Sequence, residues 1–171
     1  MRAALLGALV FTGAGASSAA GQSFGDLAYR WVGPAVMGGR LDAVAGVPGN
    51  PNQIYLGHSS GGLWKSENGG LSFTSAFEAG KTEAVGAIAI DPRDSQRIFI
   101  GTGEPFPRNT AVYGDGIWLT RDGARHWRNV GLTASGSIAK IAIDPDDSRI
   151  VLAAAMGREF APGGERGIYR S

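Results

Sequence analysis

Three carboxylates and three arginines lie in predicted loops or at the start of the first predicted inner strand. They are Asp42, Glu104 and Asp115, with Arg40, Arg108 and Arg158. Hydrolysis of a glycosidic bond needs two carboxyl groups that flank the bond, one of them with a raised pKa. Charged residues near loops are more commonly solvated or paired with each other. We therefore predict that Asp42 pairs with Arg40 and that Glu104 anchors its loop. A catalytic role for the three carboxylates is the alternative.

Other kinds of site chemistry have little support in the sequence. The chain contains two histidines and no cysteine, so thiol nucleophiles and disulfides are excluded. A catalytic zinc site needs three protein ligands, and His58 and His126 lie in loops of different kinds, so no metal site is predicted. No Gly-rich loop opens a helix, so residues 101–103 are not predicted to bind phosphate. No cofactor is expected.

One stretch of sequence recurs along the chain. Residues 61–73 have the pattern of a strand, a tight turn and a second strand, and the Asn-Gly-Gly at 68–70 tolerates the positive φ that such a turn needs. The same order of residue types returns at 116–127 and begins again at 167–171. The equivalent glycines are 54 and 51 residues apart, a period that indicates a repeat architecture.

A second sequence pattern recurs in the segments between these copies. An apolar strand leads to an Asp-Pro turn, at Asp91 in one unit and Asp144 in the next, and a β-branched strand follows. Four short antiparallel strands per unit, without helical periodicity, predict an all-β fold of β-propeller blades. A sandwich is the alternative, and the repeat favours the propeller. About three blades of an incomplete propeller are expected, since the sequence stops inside the third unit. The small, apolar first strands should be innermost.

The recurring turns resemble Asp boxes, whose pattern is Ser/Thr-x-Asp-x-Gly-x-x-Trp/Phe. The matching residues are Ser66, Asn68, Gly70 and Phe73 in the first copy and Thr120, Asp122 and Trp127 in the second, where Ala124 replaces the usual Gly. Asp boxes occur in bacterial sialidases, sortilin-type receptors, photosystem II assembly-factor propellers and xyloglucan hydrolases. The resemblance implies a structural role, and the chemistry agrees, because the Asp or Asn accepts turn N–H groups while the aromatic packs into the sheet.

Residues 31–40, together with the Gly-Thr-Gly-Glu-Pro run at 101–105, most resemble the exported bacterial BNR/sortilin-N-terminal-like proteins. The resemblance covers roughly residues 30–171 and is specific for fold rather than for activity. In the similar xyloglucan hydrolases, a catalytic Asp comes just before the Gly-Gly of the first unit. The counterpart here is Ser59, which cannot act as a carboxylate base. A sialidase-type site would need an arginine triad, a Tyr and acidic partners spread over several blades, and one Arg40 and one Tyr113 do not establish it.

The N-terminus has the pattern of an export signal. Residues 1–20 contain a basic start, an apolar run too short to span a bilayer, and small residues at a cleavage position. We predict a signal peptide there, a propeller segment over residues 22–171, and a periplasmic or extracellular location. The formal net charge of +1 argues against a nucleic-acid partner.

The loops between second and third strands are expected to share one face of the propeller with the crossings between blades. Long loops on a rigid scaffold often carry binding sites. The ligand-binding candidates on that face are Arg40, His58, Arg108, Tyr113 and Arg158. We predict a binding or assembly module for a peptide, protein or glycan, completed by blades encoded after Ser171. The alternatives are a glycoside hydrolase and a purely structural interaction domain.

Overall fold

Every regular element in the described part of the chain is a β-strand. The structure is a computed structural model that describes residues 40–106 and 108–171, so the predicted export signal lies outside the described residues. The strands are β1 Leu41–Val47, β2 Asn50–His58, β3 Leu63–Ser66, β4 Thr74–Ser75, β5 Val85–Ile90, β6 Ile98–Thr102, β7 Ile117–Thr120, β8 Arg128–Gly131, β9 Ile138–Ile143, β10 Val151–Met156 and β11 Arg166–Arg170. Among the described residues, no helix is long and apolar enough to cross a membrane.

The strands form three antiparallel sheets in sequence order. The first contains β1-β2-β3-β4, the second β5-β6-β7-β8, and the third β9-β10-β11. We call them blades 1, 2 and 3. The first strands of the blades contact one another in turn, β1 with β5 and β5 with β9. The blades are therefore arranged around an axis, with their first strands innermost, which confirms the predicted all-β propeller architecture.

Two apolar cores lie between neighbouring blades. The core between blades 1 and 2 is built from Tyr55, Leu63, Phe77, Val85, Ile98 and Ile100, and that between blades 2 and 3 includes Phe99, Leu119, Ile138, Ile141 and Val151. Close approach of the second strand of a blade to the first strand of the next blade depends on glycine. A Cβ at Gly57 would lie 2.7 Å from the Val85 carbonyl oxygen, and one at Gly101 would lie 2.5 Å from Cγ2 of Ile138.

Several strands begin or end close to a turn. Val47 already pairs with Asn50, so the turn after β1 is tight, and Pro51 lies inside β2 near its start. Proline is tolerated near the beginning of a strand because no ladder donor is needed there. The final strands β4 and β8 begin only after Ser72 and His126, whose N–H groups bond to turn side chains.

The two Asp-box-like turns are closed by their own side chains. The Ser66 hydroxyl accepts the Gly70 N–H at 2.8 Å, and the Asn68 side-chain oxygen accepts the Ser72 N–H at 2.9 Å. The second turn repeats this pattern through Thr120 and Asp122. Hydrogen bonds from the main chain and ring of His126, then from the Thr120 hydroxyl, lower the pKa of Asp122.

The backbone conformation at Gly70 predicts that a side chain there would destabilise the fold. Gly70 has φ of 90°, a left-handed conformation, and its added Cβ would find no atom closer than 3.8 Å. Gly70→Ala is therefore expected to lower the free energy of unfolding by about 1 kcal/mol through backbone strain alone, as measured by urea denaturation. Leu71→Ala, at a side chain that is 89% exposed in the same turn, is the control and should change little. Equal stability of the two variants would contradict the strain argument.

Candidate functional site

One end of the propeller segment gathers the loops between second and third strands and the crossings between blades. Ser59 N–H donates to the Arg40 carbonyl at 3.1 Å, and Gly114 N–H donates across blades to the Gly136 carbonyl at 2.8 Å. We call this end the loop face; it comprises residues 40–42, 57–62, 81–84, 102–106, 108–116, 131–137 and 156–166. The Asp-Pro and Asp-box-like turns lie together elsewhere, where the Gly123 N–H bonds the Gln96 carbonyl at 3.0 Å.

The longest loop of this face is anchored at both ends. The Thr102 hydroxyl donates to Asp115 Oδ1 at 3.0 Å and accepts the Asp115 N–H at 2.8 Å. Asp115 Oδ1 also accepts the Trp118 indole N–H at 2.8 Å, and its Oδ2 accepts the Lys81 N–H at 3.0 Å. Further along, Glu104 N–H bonds the Val112 carbonyl at 2.9 Å. Both oxygens of Asp115 are thus engaged in holding the loop.

Two arginines and two carboxylates form an ion-pair cluster where blade 1 meets this loop. Arg40 Nε lies 3.0 Å from Asp42 Oδ1, and Arg40 Nη2 lies 2.6 Å from Glu104 Oε1. Arg108 Nε lies 2.6 Å from the same Glu104 oxygen. The carboxylate side chains are 0% exposed, whereas those of Arg40 and Arg108 are 39% and 41% exposed. We call these four residues the arginine cluster; its acids lie beneath and its guanidinium groups face solvent.

Asp42 has the most unusual environment in the cluster. It occupies a β-bulge between Leu41 and Ala43, opposite the end of β2. Burial raises its pKa, and the nearby Glu104 charge adds to this, while Arg40 acts in the opposite direction. Its Oδ2 is buried and has no hydrogen-bond partner among the described residues, and neither has Nδ1 of His58. A raised pKa suits a general acid, but the enclosed side chain is not presented to a ligand.

Ser59 stands at the position where the resemblance to xyloglucan hydrolases implied a catalytic Asp. Its side chain is fully buried, and its hydroxyl donates to the Arg40 carbonyl at 3.2 Å. This hydroxyl therefore helps to position Arg40, and the described part of the chain supplies no carboxylate at that place.

The remaining predicted ligand residues are spread over the same face. Tyr113 is exposed, and Arg158 is exposed in the loop of blade 3, where its carbonyl accepts Arg166 Nη2 at 2.9 Å. Neither is placed in contact with the arginine cluster. In the described part of the chain, no three His, Cys, Asp or Glu side chains come together as a metal site would require.

Phe106 was missed by the sequence reasoning. It is exposed, its carbonyl accepts Arg40 Nη2 at 2.9 Å, and the Arg40 guanidinium carbon lies 5.5 Å from its ring centroid. This is cation–π geometry. The signal in the sequence was an aromatic residue between Pro105 and Pro107 in the longest loop, where an exposed ring is most easily explained by binding.

Three solved structures with a similar fold are named as GH74 enzymes. An ancestral GH74 enzyme matches 77% of this chain over 17% of its own length, with 22% identity and a TM-score of 0.58. The GH74 enzyme of Niastella koreensis matches 74% of this chain over 19% of its own, with 23% identity and a TM-score of 0.57. The GH74 xyloglucanase of Xanthomonas campestris matches 78% of this chain over 23% of its own length, with 22% identity and a TM-score of 0.52.

These comparisons define the class of fold. The chain spans about a fifth of the length of the matched structures, and at such identities the likeness extends to the fold alone. No protein-family model and no curated protein sequence matches the chain. The chain is therefore a β-propeller segment with the fold seen in GH74 enzymes.

Proposed function

We propose that the chain belongs to an exported propeller of the BNR/sortilin-like kind, and that its loop face binds a glycan chain. The observation that carries this proposal is the layering of the arginine cluster. Its acidic side chains are enclosed and paired, whereas its guanidinium groups and the neighbouring Phe106 ring face solvent. Such an arrangement presents donors and an apolar surface to a ligand without presenting an acid or base.

Exposed aromatic rings on the loop face support a carbohydrate ligand. Phe106, Tyr113 and Phe160 are 53%, 41% and 63% exposed, and all three lie in loops between second and third strands. Such rings offer flat apolar area at low entropic cost, and Tyr adds a hydroxyl. The name of the similar Xanthomonas campestris structure, a xyloglucanase, favours carbohydrate over peptide as the first class to test.

The test is binding of the chain to a panel of soluble polysaccharides that includes xyloglucan. Phe106→Ala and Tyr113→Ala are each expected to weaken binding by about threefold to tenfold, because each removes a ring contact worth about 0.5–1.5 kcal/mol. Isothermal titration calorimetry measures the change. Leu71→Ala, an exposed apolar residue in an Asp-box-like turn, is the control and should bind normally. Absence of binding to every polysaccharide would reject the proposal.

A glycoside hydrolase is the second candidate, favoured by the environment of Asp42 and by the names of the similar structures. The active site would then be completed by parts of the protein beyond this segment. The same incubations measure it through release of reducing ends. Asp42→Asn should abolish release if Asp42 is the acid. Release that survives Asp42→Asn, Glu104→Gln and Asp115→Asn would remove these three carboxylates from the reaction.

A further inference from the structure

We infer that the glycan is acidic, and that Arg40 and Arg108 together bind the carboxylate of a uronic acid residue in it. This inference rests on the glycan-binding function proposed above and names the chemical class of the ligand. It follows from the positions of the two guanidinium groups, from their unused donors and from the ring beside them.

Glu104 brings the two guanidinium groups side by side. A single oxygen, Glu104 Oε1, lies 2.6 Å from Arg40 Nη2 and 2.6 Å from Arg108 Nε. Because the Glu104 side chain is enclosed, the oxygen is on the protein side of both groups. Asp42 holds Arg40 by its Nε at 3.0 Å, which fixes the plane of that guanidinium. The pair is thus arranged before any ligand arrives, which reduces the entropic cost of binding.

Both arginines keep donors for a ligand. A guanidinium carries five N–H donors. Arg40 donates through Nε to Asp42 and through Nη2 to the Phe106 carbonyl. The contacts of Arg40 Nη2 and Arg108 Nε with Glu104 Oε1 are ion pairs without hydrogen-bond geometry. No described acceptor bonds Arg40 Nη1 or the two terminal nitrogens of Arg108. Parallel N–H donors are matched by the two oxygens of a carboxylate.

The balance of charge favours an anion of low charge. Asp42 and Glu104 offset the two arginine charges, so the cluster has no net excess to neutralise a dianion. A ligand carboxylate nevertheless meets the exposed guanidinium groups first, since the acids lie beneath them. Phe106 lies next to Arg40, so a sugar ring that carries the carboxylate has an apolar surface to pack against. A uronic acid unites both features.

The experiment compares oligogalacturonate with its methyl ester, which keeps the sugar chain and removes the charge. The chain is expected to bind the acid at least about tenfold more tightly than the ester, because hydrogen bonds to charged groups are the stronger kind. Arg108→Gln should weaken binding of the acid by about tenfold or more and leave the ester unchanged. Arg108→Lys keeps the charge but loses the planar pair of N–H donors, so its affinity for the acid should lie between those of the unchanged chain and Arg108→Gln. Added salt should weaken binding of the acid.

Arg149→Gln is the matched control, since Arg149 is an exposed arginine paired with Asp147 in an Asp-Pro turn, away from the loop face. It should bind like the unchanged chain. Circular dichroism of Arg108→Gln checks that the sheets are intact. Equal binding of acid and ester, or unchanged binding by Arg108→Gln, overturns the inference. Tighter binding of a peptide carboxyl terminus than of oligogalacturonate also overturns it.

The two proposals fail in different ways. Neutral xyloglucan that binds through Phe106 and Tyr113 without dependence on Arg108 would keep the glycan-binding function and overturn the acidic ligand. Absence of binding to acidic and neutral glycans alike would overturn both.

Discussion

Replacing Asp91 by alanine is expected to lower the free energy of unfolding by about 3–5 kcal/mol, the usual cost of removing one partner of a buried ion pair. Asp91 is 1% exposed. Its Oδ2 accepts Arg97 Nη1 at 2.8 Å, and its Oδ1 accepts the Arg93 N–H at 2.9 Å and the Ser148 hydroxyl at 2.8 Å. One carboxylate therefore closes the Asp-Pro turn of blade 2 and ties it to blade 3.

Arg97 explains why the loss should be so large. Its guanidinium is mostly buried, packs over the Phe99 ring at 4.9 Å, and also donates to the Ser148 carbonyl. Without Asp91 this charge would stay enclosed with carbonyl and ring contacts only. The penalty therefore falls on the folded state, where this charge is mostly enclosed.

The same carboxylate predicts an acid-dependent stability. Burial opposes ionisation of Asp91, but hydrogen bonds from Arg93 N–H, Arg97 and Ser148 outweigh it, so its pKa is lowered in the folded chain. A lowered folded pKa gives stability that is present above the unfolded value, about 3.9, and is lost as the pH falls through the folded value. Asp91→Asn should lack this part of the pH dependence.

Urea denaturation at neutral pH measures the effect of Asp91→Ala, and Asp144→Ala is its matched control. Asp144 is the equivalent residue of the next unit, half-buried, and its Oδ1 accepts the N–H groups of Asp146 and Asp147 at 2.8 and 3.0 Å. None of its described partners is an arginine. Its replacement should cost about 1 kcal/mol. Equal losses for the two variants would contradict the role given to the ion pair.

The blades could be predicted because their signals are local. Turn residues, short apolar strands and the repeat period all lie within one unit, and they indicate the same fold. The importance of Asp91 could not be predicted in this way, because its partner Ser148 lies 57 residues further along the chain. The sequence marks the Asp-Pro turn, but nothing near it shows that the turn of the next blade docks there.

In the candidate site, too, local contacts were predictable and contacts between blades were not. The Arg40–Asp42 pair was predictable because only Leu41 separates its members along the chain, and Arg108 comes four positions after Glu104 in the same loop. The contact of Arg40 with the loop of blade 2 depends on how two blades pack, which no local pattern states. The enclosure of Asp42 and Glu104 likewise follows from that packing. Sequence reasoning therefore named the four residues of the arginine cluster without indicating that all four meet or which of them would remain exposed.

Gly114→Ala is expected to lower the free energy of unfolding by about 1–3 kcal/mol and to displace the long loop. A Cβ at residue 114 would lie 2.3 Å from the Thr102 carbonyl carbon and 2.5 Å from the Gly103 nitrogen. Both are backbone atoms at the start of the loop that follows β6, so no side-chain rotation relieves the clash. The loop itself must move away from Thr102.

That movement has a specific consequence for the site. Gly114 N–H bonds the Gly136 carbonyl at 2.8 Å, and the next residue, Asp115, is bonded to the Thr102 hydroxyl. Loss of these bonds releases one end of the loop whose other end carries Glu104. Arg40 and Arg108 would then lose their common anchor, and binding to the loop face should fall even at temperatures where the blades remain folded.

Hydrogen exchange of the amides in residues 102–116, together with urea denaturation, distinguishes loop displacement from general unfolding. Gly46→Ala is the control, because Gly46 lies in β1 with no atom within 4 Å of an added Cβ and needs no left-handed backbone. It should be neutral or stabilise by up to about 1 kcal/mol through the unfolded chain. Unchanged exchange in Gly114→Ala would show that the loop absorbs the methyl group, which would remove the claim that Gly114 packs tightly against the backbone of Thr102 and Gly103.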